Sequence, residues 1–153
     1  MRARNTAFAF VLILAATSAG VPDSRAMDVY QKGNQLILSG RVVGTEVDEV
    51  VRLLKSAPVI DTVILRNSPG GHILTGYRLG ALFRARGLKT AVSGFCFSAC
   101  SRMFLGGKQR YFTDDYPPQY TRVGFHGHYD SRGDRKSTRL NSVTCQSRMP
   151  SSA

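Results

Sequence analysis

Residues 62–66, TVILR, form a short and almost wholly apolar run, and NSPGG at 67–71 ends it at once. A run of that length without polar alternation suits a strand covered on both faces, as strands of parallel sheets are. Parallel neighbours cannot be joined by a tight hairpin, so the chain around this run must supply crossing helices. Upstream, NQLILSGRVV at 34–43 favours strand, with Gly40 marking a turn or bulge. Thr45 then suits a helix cap, with Asp48 three residues on as an imperfect capping box. Val47, Val50, Val51 and Leu54 recur at helical spacing, and Pro58 limits that helix. Downstream, His72 to Arg86 reads as a second helix with Leu74, Tyr77 and Ala81 on one face, ended by Gly87. Gly76 and Gly80 inside it lower helix stability, so close backbone packing is the reason to expect for them. Lys89 to Ser93 reads as another strand, GFCFSAC at 94–100 as a turn, and Ala99 to Leu105 as a short helix ended by Gly106 and Gly107. Arg110 to Phe112 and Arg122 to Phe125 are further strands, separated by a polar loop containing Pro117 and Pro118. The alternation predicts an α/β fold in which helices cross between parallel strands.

The two ends read differently from the middle. Arg2 and Arg4 precede an uncharged apolar stretch from Ala7 to Gly20, and Ser24 and Ala26 place small residues three and one positions before a cut at Met27. That layout predicts a signal peptide over 1–26, a periplasmic or secreted protein, and no stable membrane span once the leader is removed. A retained N-terminal anchor is the alternative. From Asp134 the chain reads DRKSTRLNSVTCQSRMPSSA, with no apolar period. DRKSTRLNS resembles the translation of a widely used sequencing adapter, and SRMPSSA resembles a later part of it in a shifted frame. Residues 134–153 are therefore expected to be an artefactual disordered tail that makes no native contacts, with 27–133 as a domain cut short. A natural basic, serine-rich tail is the competing reading.

The formal net charge of +11 would ordinarily suggest nucleic acid or acidic membranes as partners. Arg2, Arg4 and Arg25 in the leader, and Arg135, Lys136, Arg139 and Arg148 in the tail, carry much of it. The basic residues between them stand singly, without the runs or aromatic interleaving of a binding stripe, so nucleic acid is not expected.

Chemistry concentrates at two glycine-rich junctions. Gly70 and Gly71 can take backbone angles closed to other residues and turn amide N–H groups toward one point, where they could hold a developing oxyanion. Pro-Gly is also a common turn, which is the bland reading of the same letters. Ser98 lies at the second junction, where a hydroxyl can be exposed beside the Ala99 amide, or where a small residue simply fits between helix and sheet. The motif is not the G-x-S-x-G elbow, since Gly94 is too early and Cys100 stands where the second glycine belongs. A serine nucleophile needs a base. His126, at the end of RVGF, could be delivered by a strand to the edge where Ser98 sits; His128 is displaced onto the next turn, and His72 follows the glycines directly.

VILRNSPGG, GLKTAVSGFCFSAC, RMFLGGKQRYF and VGFHG, in that order over about residues 34–128, resemble the Clp protease proteolytic subunit and its relatives in the crotonase superfamily. More narrowly, they resemble secreted or periplasmic proteins of that group with a C-x-S-A-C turn. The resemblance implies a ClpP/crotonase-like spiral of β-β-α units, here C-terminally truncated, and often a homo-oligomer. It implies an exported serine peptidase acting on peptide or protein, with Ser98 as nucleophile, His126 as general base, Gly71 and Ala99 as oxyanion-hole amides and Gly70 shaping their loop. It calls for no cofactor and no metal. The family's third catalytic residue, an Asp, lies well downstream of the histidine, where this chain is already adapter-like; Asp130 is too near His126 to replace it. No lysine is clearly placed for the Ser–Lys dyad of related signal-peptide peptidases. A non-catalytic binding module and an inactive fragment are the alternatives.

In an exported protein Cys96 and Cys100 can oxidise. Four residues of helix rise about 6 Å, within the usual disulfide Cα separation of about 4.4–6.8 Å. A bridge would pin the turn that presents Ser98; two reduced, buried cysteines are the alternative.

Overall fold

The structure, a computed structural model, describes residues 26–126 together with Arg148 and Met149. In chain order the elements are β1 (Asp28–Lys32), β2 (Gln35–Ser39), α1 (Glu46–Ser56), β3 (Thr62–Ser68), α2 (Ile73–Ala85), β4 (Lys89–Phe97), α3 (Ala99–Gly106), β5 (Arg110–Thr113), β6 (Arg122–Gly124) and β7 (Arg148–Met149). The strands form one sheet in the order β1-β2-β3-β4-β5-β7, with β6 also against β4. β1 pairs antiparallel with β2, and every other pairing is parallel. The helices α1, α2 and α3 each link successive parallel strands, as the sequence predicts. No helix among the described residues is long and apolar enough to cross a membrane.

Strand alternation sorts the apolar side chains between two faces. Leu36, Leu38, Val63, Leu65 and Val92 join Val50 and Leu54 of α1, Leu79 and Phe83 of α2, and Met103 and Phe104 of α3 in the main core. Ile37, Ile64 and Ala91, neighbours in register, gather with Tyr111 in a second cluster. That double burial is why TVILR carries no polar alternation.

Three local readings change. β1 is not signalled by the sequence, because DVYQK is mostly exposed and carries no apolar stripe. Thr45 precedes α1 but its side chain makes no capping bond. The carboxylate of buried Glu46 does the comparable work, accepting from the amides of Val43 (3.4 Å) and Gly44 (2.8 Å). GFCF is not turn but the last stretch of β4, bent where Gly94 takes φ +75°. β5 pairs with Thr90–Val92 and β6 with Phe95–Phe97, so the two strands share one edge of β4 on either side of the bend.

The apolar face assigned to α2 also changes. Leu74 and Tyr77 are exposed, and the buried face is Thr75, Gly76, Leu79, Gly80 and Phe83. The glycines are there for the reason the sequence suggests. A Cβ at Gly76 would collide with the carbonyl of Ala99, one at Gly80 would lie 2.6 Å from the Arg102 carbonyl oxygen, and one at Gly106 would strike Gly80. α2 and α3 therefore meet backbone to backbone.

The loop after β5 is fastened to the sheet by Asp115. Its Oδ2 accepts from Ser93 Oγ (2.7 Å) and Arg66 Nη2 (2.8 Å), and its Oδ1 from Thr113 Oγ1. Burial alone would raise the Asp115 pKa, but the hydrogen bonds from Thr113 and Ser93 and the Arg66 guanidinium outweigh it and hold the carboxyl below its ordinary value. Tyr116 in the same loop accepts from Asn67 Nδ2 at 2.9 Å, tying the loop to the segment that leads into the glycine turn. The expectation that 134–153 makes no native contacts fails at Arg148 and Met149, whose backbone pairs with Phe112 and Thr113 of β5. The remainder of 134–153, and the leader expected over 1–26 apart from Ala26, lie outside the described residues.

Gly76→Ala tests the helix contact. Alanine favours an isolated helix by about 1 kcal/mol, yet overpacking against the Ala99 carbonyl costs about 1–3 kcal/mol, so urea unfolding should show a net loss of stability. Asp115→Asn tests the loop fastening. A depressed folded pKa means that stabilisation is present above the ordinary value of 3.8 and is lost as pH falls through the folded value. The variant should unfold at lower urea than wild type at pH 7, by less than about 1 kcal/mol for so exposed a pair, and the gap should close on acidification below 3.8.

Candidate active site

Ser98 occupies the single residue between β4 and α3, with φ 56° and ψ −117°. Positive φ is rare for a side chain with a Cβ, and a residue held in such a region costs about 1–3 kcal/mol unless its surroundings enforce it. They do so here from both sides. The Ser98 amide donates to the Gly124 carbonyl at 3.1 Å, extending the β4–β6 pairing by one residue. The Ser98 carbonyl accepts from both the amide (3.0 Å) and the hydroxyl (2.6 Å) of Ser101. A serine before a helix ordinarily turns its hydroxyl onto the first helical amides. Ser98 makes no such capping bond. Its Oγ is instead 2.6 Å from Nε2 of His126.

His126 reaches that point through β6. Parallel pairing of Arg122, Val123 and Gly124 with Phe95, Cys96 and Phe97 runs the strand beside the end of β4, and His126 stands two residues beyond it, exposed at the sheet edge. Two residues 28 apart in sequence are thus brought within one hydrogen bond. Of the other histidines, His72 immediately precedes α2 and its Nδ1 lies 2.8 Å from Thr75 Oγ1. His128 and Asp130 lie outside the described residues.

The glycine turn packs directly against the serine. A Cβ on Gly70 would stand 2.7 Å from Ser98 Cβ and 2.9 Å from the Ala99 nitrogen, so no other residue fits without displacing the turn. Gly70 and Gly71 take φ +87° and +140°. Their loop is clamped to Val42, whose amide donates to Gly70 O (2.9 Å) and whose carbonyl accepts from His72 N (2.8 Å). That pairing turns the Gly71 N–H away from Val42. The Ala99 N–H, first in α3, has no carbonyl a turn behind it. The site therefore offers a hydroxyl on a ring nitrogen beside the amides of Gly71, in the glycine turn, and Ala99, at the start of α3. Sequence reasoning missed Glu46, which holds Val43 and Gly44 beside the clamp; a carboxylate two residues after a glycine, at the start of a helix, was the signal to follow.

Cys96 and Cys100 are joined in a disulfide with their Cα atoms 5.3 Å apart. Cys96 is in β4 and Cys100 in α3, so the bridge spans the Ser98 turn and limits how far strand end and helix start can separate. Both are fully buried. Among the described residues no group of three or more potential ligand side chains is gathered for a metal ion.

No family model matches this sequence, and no curated protein does. Solved structures do. A variant of ClpP1 from Listeria monocytogenes aligns with a TM-score of 0.53 at 19% identity, over 65% of this chain and 60% of its own. ClpP1 from the same organism gives 0.49 at 17% identity, over 66% and 59%. An enoyl-CoA hydratase from Mycobacterium avium subsp. paratuberculosis K-10 gives 0.46 at 12% identity, over 69% and 51%. The chain thus spans about three fifths of the ClpP1 structures that it matches. Together with the β-α-β order, the likeness to the ClpP1 variant gives the chain a ClpP-like fold.

Proposed function

We propose that this protein is a serine hydrolase that cleaves peptide bonds by acyl transfer. The observation that carries the reading is the 2.6 Å contact between Ser98 Oγ and His126 Nε2, made by a serine whose backbone is held at positive φ. In the proposed reaction Nε2 of His126 takes the hydroxyl proton as Ser98 Oγ attacks the substrate carbonyl carbon. The resulting oxyanion is held by the N–H groups of Gly71 and Ala99, with Gly70 keeping the loop close enough. His126 then returns the proton to the leaving amine, and the acyl group remains on Ser98. A water molecule, deprotonated by the same imidazole, releases the acid and restores the serine. Removing one such amide donor typically costs about 3 kcal/mol of transition-state stabilisation.

Export into an oxidising compartment belongs to the same proposal. The n-region and apolar run before Met27 support it, as does a Cys96–Cys100 bridge, since such bonds persist where thiols are not kept reduced. Assembly into a homo-oligomer is proposed from the likeness to ClpP1.

Turnover of a fluorogenic peptide library by wild type, Ser98→Ala and His126→Ala tests the reading. Wild type should cleave; Ser98→Ala should lose all measurable turnover with its unfolding curve little changed, and His126→Ala should fall by about 10²–10⁴-fold. Equal rates in wild type and Ser98→Ala would remove the serine from the chemistry. A well-folded wild type without turnover would favour a binding module of the same fold.

A further inference from the structure

The face of α2 that carries Tyr77 and Ala81 is not absorbed into the core; with Leu105 of α3 it lines an open surface pocket of about 330 Å³. The floor is Gly80 and Gly106, where the two helices touch. Two arginines complete the lining, Arg84 from α2 and Arg102 from α3. Neither is in an ion pair among the described residues. Arg84 is steadied by a hydrogen bond from Nη2 to the Leu105 carbonyl at 2.7 Å. The Arg102 guanidinium lies over the Tyr77 ring at 5.5 Å and the Phe125 ring at 5.8 Å, and its buried Nε has no hydrogen-bond partner.

Those features are costly for a protein that binds nothing there. A buried guanidinium donor without an acceptor forfeits its hydration, and two like charges on one pocket repel. An anion held by the terminal nitrogens of the two guanidinium groups relieves the repulsion between them. A planar guanidinium fixed by stacked rings presents its donors in the fork that matches a carboxylate, with little side-chain entropy left to lose. The remaining walls are tyrosine, leucine, alanine and bare glycine backbone, which suit an apolar body, and the volume is that of a small ligand site. We propose that this pocket binds a carboxylate carried on an apolar or aromatic group, with Arg102 and Arg84 taking the carboxylate and Tyr77 and Leu105 the body. Arg102 stands one helical turn beyond Ser98, and Phe125, stacked on it, precedes His126, so an occupant would lie beside the Ser98 turn without needing its chemistry.

The test is direct binding to the full chain by isothermal titration calorimetry, using 4-phenylbutyrate and its uncharged amide, and acetyl-Leu-Phe as free acid and as amide. The free acids should bind in the millimolar range or tighter. They should exceed their amides by about tenfold, the effect of a charge-assisted pair. Arg102→Met, which keeps a long apolar stem between the rings, should lose about tenfold toward the acids and nothing toward the amides. Ala81→Trp, which fills the pocket from an exposed helix position, should abolish binding with unfolding little changed, whereas Ser98→Ala should bind as wild type. Preference for the peptide acid would identify a peptide C-terminus as the source of the carboxylate, and preference for 4-phenylbutyrate a small free acid. Acid and amide binding alike, no saturable binding of either acid to folded wild type, or undiminished acid binding by Arg102→Met and Ala81→Trp would each overturn the proposal.

Discussion

The backbone of α2 rests on the backbone of α3, and the position of Ser98 follows from that contact. Where Gly76 meets the Ala99 carbonyl and Gly80 meets Arg102, no side chain stands between the helices, so their separation is set by main-chain van der Waals contact. Main chain cannot yield as a long side chain can. The start of α3 is thereby fixed against the start of α2. The start of α2 is in turn the exit of the glycine turn, clamped to Val42 on its other side. Gly70 fills the remaining gap against Ser98 and Ala99. Gly70, Gly76 and Gly80 thus act as one device: they remove side chains wherever two chain segments must touch for the two junctions to face each other.

A turn so confined can hold a residue in a backbone conformation it would otherwise leave. Ser98 at φ 56° is held by its amide on Gly124, its carbonyl on Ser101 and the Cys96–Cys100 bridge across it. The strain has a geometric result. With the backbone turned this way the hydroxyl leaves the helix entry uncapped and meets the imidazole of His126. The Gly124 bond has a second effect, because it also fixes the strand that delivers His126. One hydrogen bond orients the backbone of the proposed nucleophile and the register of the proposed base.

Much of this was legible in the residues, for reasons that differ by element. TVILR announced a strand covered on both faces, and Gly76 and Gly80 announced close helix packing, because both features reflect burial, which composition records directly. Ser98, Gly70, Gly71 and His126 came from motif order, and the structure brings them to one edge. The misses share a cause: features that depend on a partner far along the chain leave little local trace. β1 is polar and exposed, and only its pairing with β2 makes it a strand. The last residues of β4 looked like turn because their partner β6 lies 25 residues on, across an unpatterned loop. The apolar letters of α2 fall on Leu74 and Tyr77, which face outward, while the buried face is glycine and threonine beside Leu79 and Phe83. Periodicity scores side-chain size, and a helix that packs by its backbone inverts that signal.

The most direct measurement is intact-mass and peptide mapping of the folded protein after exposure to a fluorophosphonate, which reacts with serines activated by a neighbouring base. The account predicts a single phosphonyl adduct per chain, located on Ser98, whose formation is lost when the protein is unfolded in urea beforehand. An unmodified folded protein, or an adduct on any other residue with Ser98 untouched, would contradict it.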